Sequence, residues 1–127
     1  MVYTYQDYKG RVNEITIEEC MELHQMIKYE IRDDEEAEEI YADLLEKALD
    51  YIPYRVRWTY KDREWRNRYD ESRTMCHDSL ITHFNMLARY LQQQGRSAEW
   101  RNKLGDDRRR IGDFAGYLVY VQSIGGR

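Results

Sequence analysis

A helical pattern of apolar residues runs from Asp62 to Gln94 and stops at Gly95. At 100° per residue it places Trp65, Tyr69, Cys76, Leu80, Ile81, Phe84, Leu87, Ala88 and Leu91 on one broad arc. Asp62 suits the start, because a short carboxylate accepts from the unpaired N–H groups of a first turn. At the helical rise such a segment is roughly 50 Å long, so the rest of the chain has to pack along it. The pattern also admits a break near 70–74.

The flanking segments carry the same period. Ile17, Cys20, Leu23, His24, Ile27 and Ile31 form one stripe, opened by a Thr16–Glu19 capping box and an Ile15–Cys20 staple. Asp33 or Asp34 caps a second helix, whose acidic first turn (Glu35, Glu36, Glu38, Glu39) suits the positive end of the helix dipole. Ile40, Leu44, Leu45, Ala48, Tyr51 and Ile52 supply its buried face. Pro53 ends or restarts that helix, since its ring removes a backbone donor, and 54–61 reads as a turn of helix plus a bend. Ser97 caps a short helix carrying Trp100 and Leu104, which Gly105 ends in the left-handed conformation. Asp106 or Asp107 starts a last helix with Ile111, Phe114, Ala115, Leu118 and Val121 on its core face. Residues 1–13, where Val2, Tyr3, Thr4 and Tyr5 alternate, read as a short strand or a docked N-terminal arm, and 123–127 as a frayed tail. The expectation is one all-α domain over 1–127, a helical bundle of four to five helices with one long central helix.

The net charge of −4 hides an asymmetry: residues 1–53 hold 5 Lys/Arg against 15 Asp/Glu, and residues 54–127 hold 15 against 9. The two halves are expected to face each other within one fold or in a dimer. Cys20 and Cys76 form neither C-x-x-C nor zinc spacing, which fits free thiols in a reducing cytoplasm. The N-terminus lacks the basic and apolar regions of a signal peptide. No apolar run approaches the roughly 18–20 residues that span a bilayer. A cytoplasmic protein with no membrane partner and no cofactor is the expectation.

Polar residues fall inside the apolar arcs, where each needs a partner once it leaves water. Asp70, Arg73 and His77 lie three and four residues apart on the long helix, and Asp107 lies on the arc of the last one. An Arg73–Asp107 bridge would satisfy both and hold two helices in register; the alternative is a small polar pocket. Gly112 and Gly116, four apart, imply that another helix or a partner comes close to the last helix.

Two sets of residues are similar to known enzyme patterns. His77-Asp78 is similar to the His-Asp pair of all-α metal-dependent phosphohydrolases, with His24 and Asp113 as the further metal ligands. Glu18, Glu19 and Glu22 with Glu38, Glu39 and Asp43 are similar to the carboxylates of all-α nucleotide pyrophosphatases, but the second set is off register by one residue. A third reading is a nucleic-acid accessory protein. Arg55, Arg57, Trp58, Arg63, Arg66 and Arg68 mix basic and aromatic groups that stack bases and neutralise phosphates. Asp62, Glu64, Asp70 and Glu71 dilute that patch.

From Arg73-Thr74 and His77-Asp78, through Asn85-Met86-Leu87-Ala88-Arg89 and Trp100-Arg101, to Leu104-Gly105-Asp106-Asp107-Arg108 and Ile111-Gly112-Asp113-Phe114-Ala115, the chain resembles a small uncharacterised family of Gram-positive bacterial proteins, some on mobile elements. The resemblance implies an all-α fold and carries no activity. The resulting expectation is a non-catalytic interaction or structural protein with a buried polar cluster linking two helices. Its partner is expected to be another protein or a second copy of the chain, with nucleic acid less favoured.

Overall fold

In the computed structural model the chain is described for residues 2–6, 12–60 and 62–123, with side chains for 18–55 and 62–122. Strands β1 (Val2–Gln6) and β2 (Val12–Thr16) pair antiparallel, with Val2 opposite Thr16 and Gln6 opposite Val12. This hairpin occupies the place of the expected arm. Among the described residues five helices follow: α1 (Ile17–Ile31), α2 (Glu35–Tyr60), α3 (Arg63–Gln93), α4 (Glu99–Leu104) and α5 (Arg108–Ser123). The expected all-α bundle around one long helix is the architecture found. The Thr16–Glu19 capping box and the Ile15–Cys20 staple rest on side chains outside the described residues.

Local chemistry sets most boundaries. Asp33 turns the chain at φ +60°, which Asp tolerates better than most residues. Asp34 then caps α2: its Oδ1 accepts from the Ala37 N–H at 3.1 Å. Tyr90 of α3 donates its hydroxyl to the same carboxylate at 2.9 Å, so the cap is also a link between helices. Asp62 caps α3 through the Trp65 N–H at 2.8 Å, and Gly95 ends the following turn at φ +70°. No break interrupts α3, which at the helical rise is roughly 46 Å long.

Two local expectations need correction. Pro53 neither ends nor restarts α2, which continues to Tyr60. A proline inside a helix costs about 3 kcal/mol. Ala37, Tyr41, Leu44, Ala48 and Tyr51 bury one continuous face of α2, and at about 1.5–3 kcal/mol for each large side chain that outweighs the loss. Gly105 has positive φ (+73°), but ψ of −172° puts it in a region open to glycine rather than in the left-handed helical one.

α2 packs chiefly on α3 and α5, while α1 rests on α4 and α5. Phe84, Leu80, Leu87 and Leu91 of α3 meet Leu44 and Ala48 of α2, Trp100 and Leu104 of α4, and Ile111, Phe114 and Leu118 of α5 in one core. Among the described residues no helix is long and apolar enough to cross a membrane.

Candidate functional site

A buried charged pair, Arg55 with Asp113, joins two helices. Arg55 near the end of α2 donates from Nη2 to Asp113 Oδ1 on α5 at 2.7 Å, and both nitrogens of its fork reach the Arg109 carbonyl at 3.3–3.4 Å. The side chains are 12% and 3% exposed. Burial pushes the Asp113 carboxyl above its ordinary range, against the pull of Arg55. Gly112 makes the approach possible: a Cβ there would lie 1.3 Å from Arg55 Nη1 and 2.3 Å from Cζ. The close approach implied by that glycine is therefore an arginine fork lying across α5.

The expected cluster is arranged differently. Arg73 Nη2 does donate to Asp70 at 3.2 Å, but the Asp70 side chain is 61% exposed. Asp107 is exposed and caps α5, accepting from the N–H groups of Arg109 (2.8 Å) and Arg110 (3.2 Å). The Arg73–Asp107 bridge is thus replaced by a local cap. A helix start holds several unpaired donors that a short carboxylate reaches without ordering a long side chain. His77 is buried, as its place on the arc requires, with the Tyr51 ring of α2 edge-on at 5.4 Å. Neither ring nitrogen has a hydrogen-bond partner. Burial holds the imidazole below its ordinary pKa, and the charge of Arg108 adds to the effect.

The four residues considered as metal ligands are in separate settings. His24 Nδ1 meets the Tyr41 hydroxyl at 2.6 Å, and Asp113 is bound to Arg55. Asp78 points outward with its side chain 69% exposed, 3.8 Å from His77. Among the described residues no three His, Cys, Asp or Glu side chains come together where they could hold a metal ion. In the basic–aromatic stretch, Arg57 and Trp58 lie outside the residues with described side chains. Arg55 faces inward to Asp113, Arg63 and Arg68 are exposed, and Arg66 is half-buried.

Conserving α2 through Pro53 creates a feature the sequence reading missed. A groove of about 520 Å³ runs between α2 and α3, lined by Leu49, Asp50, Pro53, Tyr54, Trp65, Tyr69 and Cys76. Its aromatic wall is continuous: Trp65 and Tyr69 have ring centroids 4.7 Å apart, and Tyr54 and Tyr69 6.3 Å, all tilted rather than stacked. Leu49 on the rim is 41% exposed, and Met75, next to Cys76, is 64% exposed. The available signal was the i,i+4 pair Trp65–Tyr69 and the i,i+3 and i,i+4 set Asp50, Pro53 and Tyr54. Those spacings put each set on one helix face. Burial and the neighbouring Asp50 charge raise the Cys76 thiol above its ordinary pKa, which disfavours the reactive thiolate.

No protein-family model, curated protein or solved structure matches this chain.

Proposed function

We propose that this chain is a non-catalytic, cytoplasmic interaction protein that docks another protein in the groove between α2 and α3. The observation that carries this reading is the aromatic wall of Tyr54, Trp65 and Tyr69, beside an exposed Leu49 rim. Tyr and Trp combine a large contact area with a polar tip and few rotatable bonds, so they are favoured in protein interfaces. The polar residues of the buried faces support the same reading. Arg55–Asp113, Tyr90–Asp34 and His24–Tyr41 each link two helices, and all three fix the scaffold that presents the groove. Two free thiols, Cys20 and Cys76, fit a reducing compartment.

Site-specific photo-cross-linking in cells that make the protein natively tests this. A benzophenone amino acid at position 69 should give one discrete protein adduct, lost when Trp65 is changed to Ala. The same probe at Tyr29, which is 60% exposed on α1, should not give it. Equal adducts at both positions, or none at position 69, would overturn the reading.

A further inference from the structure

The His77 ring is buried between α2 and α3, near the start of α5. It is 5% exposed, and the Tyr51 ring of α2, itself 3% exposed, lies edge-on to it at 5.4 Å. Neither His77 nitrogen has a hydrogen-bond partner. A neutral imidazole carries one N–H and one lone pair, whereas the imidazolium carries two N–H donors and a charge. Away from water each of those donors needs an acceptor, so the setting suits the neutral ring. The charged groups that bear on it come from two helices. Arg108, the first residue of α5, and Arg73 on α3 repel a cation there, and Asp78 on α3 attracts one. α2 contributes Tyr51, which burial keeps neutral by raising its hydroxyl above the ordinary pKa. Asp113, whose charge reaches Tyr51, is held by Arg55. The Asp78 side chain is 69% exposed, and its Oδ1 lies 3.8 Å from His77 Nδ1. Closing that gap to hydrogen-bond length takes a movement of about 1 Å.

We propose that His77 is a proton-operated latch between α2 and α3. Neutral, the ring packs on Tyr51; protonated, it moves onto the Asp78 carboxylate and releases Tyr51. The inner position gives the imidazolium no hydrogen-bond acceptor, and two guanidinium charges oppose it there. The outer position supplies a carboxylate that is open to water, where a cation keeps much of its hydration. Both changes act in the same direction, so protonation and movement are coupled. The latch operates on the two helices that form the groove: Asp50 and Cys76, which line it, are the sequence neighbours of Tyr51 and His77. Release of Tyr51 lets α2 shift against α3 beside the groove as the pH falls through the folded value of His77. The latch is a property of the free protein and holds whether or not a partner docks.

The test is a pH titration of the full-length protein followed by NMR, with circular dichroism on the same samples to report the fold. The His77 Cε1–H resonance reads protonation, and the Tyr51 ring resonances read the contact. Both should move with one midpoint, below the ordinary histidine value of 6.5, while the helical signal is intact. Asp78→Asn removes the acceptor and should lower that midpoint by up to about 0.7 of a pH unit. Arg108→Gln removes an opposing charge and should raise it by a similar amount. Both side chains are exposed, so these variants test the charges without disturbing the core. In Asp78→Asn the Tyr51 resonances should also move less, because the ring has lost its outer acceptor. Tyr51 resonances that stay fixed while His77 titrates would show that the ring takes its proton in place, and would overturn the latch. So would a midpoint indifferent to both variants, or proton uptake that occurs only as the helical signal is lost.

Discussion

Replacing Gly112 by Ala should destabilise the protein, although the same change in an exposed helix normally stabilises it. The added Cβ would sit 1.3 Å from Arg55 Nη1, so the guanidinium has to leave its place over α5. Arg55 ends in a flexible side chain and can move cheaply, but Asp113 cannot follow: it is 2% exposed and remains buried. Leaving one partner of a buried pair uncompensated costs about 3–5 kcal/mol. Alanine in place of glycine returns about 1 kcal/mol of helix propensity, so the net loss should be about 2–4 kcal/mol. Chemical denaturation with a two-state fit measures it. The decisive arm is the background Arg55→Met/Asp113→Leu, where no charge is left to orphan. There Gly112→Ala should change sign and stabilise by up to about 1 kcal/mol. A loss of the same size in both backgrounds would refute the reasoning, because it would show that the glycine is needed for something other than the arginine.

Acidification through the histidine range should weaken the fold. Burial lowers the pKa of both His24 and His77 in the folded chain, so below the ordinary histidine value of about 6.5 the unfolded chain takes up the protons first. The stability present above that value is lost as pH falls from it toward the folded values. His77→Phe should flatten the decline, and an unchanged slope in urea titrations between pH 7 and 5 would contradict the assignment. Asp34→Ala should cost about 1 kcal/mol as a lost cap. Tyr90→Phe should add little further loss in the Asp34→Ala background, because the two act through one contact, as a double-mutant cycle would measure. Pro53→Ala should raise the thermal midpoint by restoring a helical N–H to the Leu49 carbonyl, on a scale of up to about 3 kcal/mol.

The sequence was most informative where structure is local. The caps at Asp34, Asp62 and Asp107 and the turn at Gly95 each depend on a few neighbouring residues, and each lies where the residue types place it. Periodicity also put His77 on a buried face correctly. Periodicity does not say which end of another helix comes opposite. The apolar arcs carry Arg73 and Asp107, yet Asp107 satisfies its own helix start. Arg55 and Asp113 are 58 positions apart, and only Gly112 hinted that something would lie on α5. Pro53 misled in another way. Its local preference for a boundary was overridden by the buried face of α2, and the α2 half of the groove wall depends on that override.

Hydroxyl-radical footprinting of the complex with the protein captured at position 69 tests docking most directly, because it reads side-chain cover at every site at once. The account predicts that the partner protects Tyr54, Trp65, Tyr69 and Cys76, while Met21, Tyr29 and Met86, all exposed on other parts of the bundle, oxidise as in the free protein. Protection of Met21, Tyr29 or Met86 with an unprotected Trp65 and Tyr69 would contradict it.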